Sequence, residues 1–193
     1  MALAPQFKGH RWGPCTAAHV LEIYLDYVDV LPYIEQRYPD KIQFLFRHQV
    51  QPWHPSSTIV HEASLAVERI KQENFLDFSA VLFGSQKQYF DESVHDLSRK
   101  QIYQSLAKHA ESVGIPGDQF LNLLHVNSVI NMSEAANSGN GVTNDLKWHI
   151  KLGRQNGIHV SPTCLWDGII ENSISSGWDL EEWKKWLDKK IDG

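Results

Sequence analysis

Thiols are the first residues to weigh, because a thiolate can attack a disulfide and a nearby second thiol can resolve the mixed disulfide that results. The chain has 193 residues and only two cysteines, Cys15 and Cys164. Two thiols cannot build a disulfide scaffold, a four-cysteine zinc site or an iron–sulfur cluster. Cys164 lies in an apolar run, Thr-Cys-Leu-Trp, which predicts a buried structural thiol. A reactive thiol and a Cys15–Cys164 disulfide are the alternatives.

Ten histidines raise the question of a metal site. His48, His54 and His61 are six and seven positions apart, which matches no compact ligand motif. His61-Glu62 begins like the His-Glu-x-x-His helix of zinc proteases, but position 65 is a leucine. The sequence therefore predicts no metal ligands. Phosphate-binding, dinucleotide-binding and Gly-x-Ser-x-Gly motifs are missing too, and the catalytic residues stay unknown.

Composition narrows the classes of partner. The net charge is −5 and the sequence has no run of five basic residues, which argues against a nucleic-acid partner. No apolar stretch approaches the roughly 20 residues of a membrane span. The first ten residues, MALAPQFKGH, combine neither a basic start nor an apolar core, so we expect no signal peptide and a cytoplasmic protein.

Hydrophobic periodicity predicts the elements that must position any site. Runs rich in β-branched and aromatic residues predict strands, a period of three to four residues predicts helices, and Asp167-Gly168 predicts a hairpin turn. The predicted strands are 19–27, 41–48, 158–166 and 169–174, and the predicted helices fall in 31–38, 57–125, 143–152 and the segment after Asp179. The first two strands flank a helix, which favours a parallel pair joined by a crossover.

Four features stand in a fixed order: the run Ile23-Tyr-Leu-Asp-Tyr-Val28 at the end of the first strand, the second strand Phe44-Leu-Phe-Arg-His48, the helical block, and the segment Gly157-Ile-His-Val-Ser-Pro-Thr163 before the hairpin. With these residues the sequence resembles the DsbA-like thioredoxin family. The resemblance implies an α/β thioredoxin-like fold with an all-helical insertion after the second strand. It predicts a discontinuous thioredoxin-like domain, 1–52 with 142–193, and a helical insertion domain, 53–141.

The resemblance also implies a substrate groove. In the family, the proline at the position of Pro162 has a cis peptide bond beside the active site, and the neighbouring backbone docks peptide or thiol substrates. Val160 and Ser161 would offer backbone hydrogen bonds in that groove. The predicted substrate-binding residues are therefore Val160, Ser161, Pro162, Thr163, His48, Trp53 and His54, with a peptide or a thiol-containing small molecule as the partner.

The sequence departs from the family directly after the first strand. Relatives carry Cys-x-x-Cys or Cys-Pro-x-Ser there, at a helix start that lowers the thiol pKa. Here Val28 is followed by Asp29-Val30-Leu31. The thirteen residues from Val28 to Asp40 barely suffice for a parallel crossover, which needs about a dozen. We hypothesise that an active-site segment is missing between Val28 and Val30, and an uninterrupted exon across this junction would contradict that hypothesis.

The predicted function follows from this departure. A thioredoxin-fold protein without the cysteine motif should be redox-inactive, so its status as an enzyme is open. One alternative is a relative of kappa-type glutathione transferases, which would bind glutathione and would place its functional residue where Asp29 stands. Another is a noncatalytic module that binds a protein in the Pro162 groove. Apart from glutathione, no cofactor is expected.

Overall fold

Five strands form one mixed sheet in the order β1-β3-β2-β4-β5. The computed structural model describes residues 7–25, 34, 36–126, 137, 139–175 and 177–192. Within these residues β2 and β3 are parallel, and the other three neighbouring pairs are antiparallel. The strands are β1 (His10–Trp12), β2 (His19–Leu25), β3 (Ile42–His48), β4 (Thr163–Trp166) and β5 (Ile169–Ile170).

The central strands are buried, as the sequence indicates. All seven residues of β3 are buried, which suits a strand with neighbours on both sides and apolar cover. The parallel pairing that the sequence favours for β2 and β3 is confirmed, with Leu21 opposite Phe44 and Leu25 opposite His48. The predicted crossover helix over 31–38 is described in half of its residues, of which 34, 36 and 37 are helical, and the Tyr38 amide donates to the Ile34 carbonyl at 2.8 Å. The strand end at 26–27 and the link from Val28 to Leu31 lie outside the described residues.

Strand β1 was not predicted. Its three residues lie between two glycines with positive φ, Gly9 at +64° and Gly13 at +84°. Both glycines also approach β3 closely, since a Cβ on Gly13 would lie 2.7 Å from the Ile42 carbonyl oxygen. A strand this short leaves almost no alternating pattern in the sequence. The strand predicted second is therefore the third strand of the fold.

The predicted strand 158–166 is too long. Its first residue belongs to the end of the preceding helix, because the Ile158 amide donates to the Gly153 carbonyl at 2.8 Å across Gly157, which has φ +69°. Pro162 then lacks an amide for strand pairing. Only four residues remain for β4, and β5 is correspondingly short. The turn at Asp167-Gly168 is confirmed, with φ values of +51° and +83°.

Seven α-helices are described. Side-chain capping defines the start of two of them: Ser98 and Gln101 form a capping box, and Asp179 and Glu182 exchange the same pair of hydrogen bonds. They are α1 (Ser57–Ile70), α2 (Phe75–Gly84), α3 (Asp91–Val94), α4 (Arg99–Ser112), α5 (Gly117–Leu124), α6 (Thr143–Gln155) and α7 (Leu180–Asp192). Within the described part of the chain, no helix is both long and apolar enough to cross a membrane.

Two compact units divide the chain. One contains residues 1–49 and 149–193 and holds the sheet, and the other contains residues 50–148 and is helical. The core of the first unit includes Leu21, Ile23 and Phe44, while that of the second includes Phe78, Leu106 and Phe120. The boundary between His149 and the residue before it falls inside α6.

Candidate functional site

The residues that the sequence predicts for a binding site in the first unit lie at one end of the sheet. Parallel strands β2 and β3 end there together, at Leu25 and His48. Antiparallel β4 begins at the same edge, because Thr163 pairs with Tyr24. The fold therefore brings His48 and the segment Val160–Thr163 to one end of the sheet.

The segment before β4 is exposed and partly fixed by its own side chains. The Val160 side chain is 58% exposed. The Thr163 hydroxyl donates to the Val160 carbonyl at 2.6 Å, so that carbonyl already has one partner. The Ser161–Pro162 peptide bond is cis.

Strand β5 is too short to run alongside the segment Val160–Thr163. Strand β5 pairs only with Leu165 and Trp166, and the Glu171 amide reaches no further than the Cys164 carbonyl, at 2.8 Å. Among the described residues, no strand runs beside Val160–Thr163 on that side. Backbone that continues a sheet without a neighbouring strand leaves room for an extended peptide to add main-chain hydrogen bonds.

Helix α6 and the residues that end it pack against β2 at this end of the sheet. Tyr24 is fully buried, and its hydroxyl accepts a hydrogen bond from the Asn156 side chain at 3.1 Å. A Cβ on Gly153 would lie 3.6 Å from the Tyr24 ring and 3.2 Å from the Gln49 side-chain oxygen, so the helix approaches closely. Burial, assisted by the Glu22 carboxylate, raises the pKa of Tyr24 above its usual range, and the phenol stays neutral.

The two cysteines occupy different environments, and neither forms a disulfide. Cys164 lies inside β4 opposite Ile23 and is 1% exposed. Burial, with a smaller contribution from Glu171, raises the pKa of the Cys164 thiol to about 12. The prediction of a buried structural thiol is thus confirmed for Cys164. Cys15 is exposed in the turn that follows β1.

His48 points into the first unit, not toward solvent. It is 1% exposed, and its Nε2 atom lies 2.8 Å from Nε2 of His10. The His48 backbone amide donates to Nδ1 of His149 at 3.2 Å. These three imidazoles are the group of histidines whose nitrogens converge closely enough to hold a metal ion among the described residues.

Trp53 and His54 belong to the helical unit, in the turns that precede α1. Trp53 is 64% exposed. His54 contacts the Asp91 carboxylate, with 3.3 Å between Nδ1 and Oδ2. Both side chains are thus available to solvent, and their role in substrate binding stays a prediction.

Solved structures share this fold, although sequence comparison alone finds no relative. No family model matches the sequence, and no curated protein matches it. Among solved structures, the chain is similar to a candidate protein-disulfide isomerase from Pseudomonas syringae, with a TM-score of 0.71 and 20% identity over 94% of this chain and 99% of the other. It is also similar to oxidised BdbD from Bacillus subtilis, with a TM-score of 0.66 and 18% identity over 96% of this chain and 94% of BdbD.

A third similar structure is the thiol-disulfide exchange protein alpha-DsbA2 from Wolbachia pipientis. Its TM-score is 0.60 and its identity 18%, over 96% of this chain and 90% of that one. These similarities confirm the α/β thioredoxin-like fold and, at the level of the fold, the resemblance to DsbA-like thiol–disulfide oxidoreductases. The chain therefore has the DsbA-like thioredoxin fold.

Two members of the histidine group were missed from the sequence. His10 lies on the strand that was not predicted, and His149 lies in α6 more than a hundred positions away from His48. One feature of the sheet could have indicated that His10 and His48 lie close together. His10 pairs opposite Phe46, two residues before His48, and that offset places His10 and His48 on one face of the sheet once β1 is known.

Proposed function

We propose that this protein does not catalyse thiol–disulfide exchange and instead binds extended peptides at the segment Val160–Thr163. The observation that carries the proposal is the placement of the two thiols. Thiol–disulfide exchange needs an attacking thiolate and a resolving thiol within reach, and the attacking species forms only when its pKa is near or below the ambient pH.

Cys164 fits neither role. Burial raises the pKa of the Cys164 thiol to about 12, far above neutral pH, so the attacking thiolate is not available there. Its position inside β4 also keeps disulfide substrates away from the sulfur. Cys15 is exposed, but the sequence offers no second cysteine beside it to resolve a mixed disulfide.

Peptide binding uses features that need no thiol. The exposed Val160 side chain supplies an apolar contact, and the backbone directly before β4, which β5 does not cover, supplies main-chain groups. Such an edge selects extended conformation through the peptide backbone and selects sequence only through the side chains on one face. This is the noncatalytic module among the alternatives that the sequence left open.

An insulin-reduction assay with dithiothreitol tests the absence of exchange. The wild-type chain and the double variant Cys15→Ser with Cys164→Ala should both give the rate of the uncatalysed reaction, because neither sulfur takes part. Alanine is used at position 164 because a hydroxyl would need a hydrogen-bond partner in the core. Turnover above background that Cys15→Ser abolishes would overturn the proposal.

Fluorescence anisotropy tests peptide binding. The probe is a fluorescein-labelled, cysteine-free peptide of alternating valine and threonine, and the control probe carries proline at every second position to remove amide donors. Val160→Asp should weaken binding of the first probe at least about tenfold, equivalent to 1.4 kcal/mol. Leu97→Asp, at an exposed leucine of the helical unit, should leave it unchanged.

Two outcomes would contradict the peptide-binding proposal. Equal binding by the wild type and Val160→Asp would remove the segment from the interaction. Retention on glutathione resin that Val160→Asp loses, without binding of the peptide, would favour the relative of kappa-type glutathione transferases.

A further inference from the structure

Three elements of the sheet-containing unit bring histidine rings to one point. His10 comes from β1, His48 from the end of β3 and His149 from α6, and their exposed fractions are 1%, 1% and 8%. One ring nitrogen from each lies within 4.8 Å of the others. Imidazole nitrogens that converge this closely can coordinate one ion in common.

We infer that His10, His48 and His149 form a binding site for a divalent metal ion of the zinc class. Neutral imidazole is a borderline donor that suits Zn²⁺, Cu²⁺, Ni²⁺ and Co²⁺. The group contains no carboxylate, so it does not suit Mg²⁺ or Ca²⁺, which require oxygen ligands. Zn²⁺ with three histidines and one further ligand is a common tetrahedral arrangement.

The spacing of the nitrogens is close to what Zn²⁺ needs. Zinc–nitrogen bonds of about 2.0–2.1 Å in a tetrahedron place neighbouring nitrogens about 3.3–3.4 Å apart. The Nε2 atoms of His10 and His48 are 2.8 Å apart and would separate by about 0.5 Å, while the widest spacing of 4.8 Å would close by about 1.4 Å. Ring rotations of this size fit within the staggered wells of the side chains.

The hydrogen bonds already orient two lone pairs. A contact between two Nε2 atoms requires that one ring carries the proton and the other offers its lone pair. Metal binding then requires that the donating ring moves its proton to Nδ1, after which both Nε2 atoms face the ion. His149 is held beside this pair, because its Nδ1 accepts a hydrogen bond from the His48 backbone amide at 3.2 Å.

Aromatic neighbours surround the rings. The Phe46 ring centroid lies 5.2 Å from that of His48 and 5.8 Å from that of His10, and the Trp12 ring centroid lies 6.4 Å from that of His10. These side chains form an apolar shell, and such a shell limits the access of water to a metal site. Three protein nitrogens leave one tetrahedral position for water or a small anion.

Calorimetric titration with Zn²⁺ tests the site on the full chain after treatment with a chelator. We expect one equivalent of Zn²⁺ per chain, and no binding of Mg²⁺ or Ca²⁺ at the same concentrations. Co²⁺ should also bind and give the intense visible absorption of a four-coordinate ion. A protein that takes up none of these ions would overturn the inference and leave a hydrogen-bonded core cluster only.

Variants locate the ion. His149→Gln removes the third nitrogen at the least buried position and should weaken Zn²⁺ binding by about a hundredfold. His95→Ala removes an exposed histidine of the helical unit and should have no effect. Equal losses in both variants, or none in either, would contradict the assignment.

A measurement on the wild-type chain guards against variants that do not fold. Paramagnetic Co²⁺ should shift the NMR resonances of three imidazole rings out of ten, and backbone assignment should identify them as His10, His48 and His149. Shifts confined to other histidines would show that the ion binds elsewhere and would overturn the inference.

Discussion

The Glu62 carboxylate links three segments of the helical unit. It is 2% exposed in α1, and its Oε2 accepts hydrogen bonds from Arg99 Nη2 at 2.5 Å and from the Tyr103 hydroxyl, both in α4. The Thr143 hydroxyl, at the start of α6, lies 3.3 Å from Oε1. The burial and the Glu62 carboxylate raise the pKa of Tyr103, so the phenol keeps its proton and remains a donor.

Replacing Glu62 by glutamine should therefore destabilise the protein. The carbonyl oxygen of Gln can still accept from Arg99 and Tyr103, but the neutral amide lacks the charge that strengthens both hydrogen bonds to Glu62, while Arg99 is partly exposed and regains some water. We expect a loss of about 1–3 kcal/mol in the free energy of unfolding, measured by urea denaturation. Glu92→Gln, at an exposed position, is the control and should change stability by less than about 0.5 kcal/mol. Equal effects of the two substitutions would show that the Glu62 contacts contribute nothing.

At the scale of elements, the hairpin between β4 and β5 depends on the backbone of its turn. Asp167 and Gly168 both have positive φ, and the Asp167 carboxylate ties the turn to β2 through the His19 ring and the Val20 amide, each at 2.8 Å. A Cβ on Gly168 would meet no atom within 4 Å. Any cost of a side chain there must therefore arise from backbone conformation.

Gly168→Ala should lower stability by about 1–2 kcal/mol, because an L-residue resists this left-handed conformation. Gly84→Ala makes the same chemical change at the end of α2, where space is open and φ is not positive, and should instead raise stability by about 0.5–1 kcal/mol. Thermal and urea denaturation of both variants provide the measurement. A neutral Gly168→Ala would show that the turn tolerates a change of type.

Local patterns explain why this hairpin and the parallel pair could be predicted. The two-residue turn, the apolar run of β3 and the capping box at Ser98 each depend on residues that are close together in the sequence. Strand β1 and the shortening of β4 could not be predicted in this way. The first is fixed by pairing with Phe44–Phe46, and the second by a helix cap that reaches from Gly153 to Ile158.

At the scale of the whole molecule, tertiary structure decides what the sequence leaves open. Nothing in the spacing of His10, His48 and His149 predicts that their rings meet, since the sheet order and α6 must first be known. Val160 and Thr163 were predicted as binding residues from the resemblance to the DsbA-like thioredoxin family. The fold confirms that resemblance, and the role of the two residues in binding stays a prediction. The domain boundaries at 52/53 and 141/142 stay predictions as well.

The same scale separates scaffold from chemistry. Solved structures with this fold include a thiol-disulfide exchange protein, but a shared fold does not transfer a function without the site that performs it. In this chain the thiol at position 164 is buried in a strand, and the group of converging ligand atoms found among the described residues is made of imidazoles. Function should therefore be sought in the segment Val160–Thr163 and in the histidine group.

The contrast between the two cysteines has a practical consequence. A maleimide dye or spin label will react with exposed Cys15 and will not reach Cys164 in the folded protein. The natural sequence thus carries a single attachment point, in the turn directly after β1. A fluorophore placed there sits a few residues from His10 and reports on that strand without any substitution.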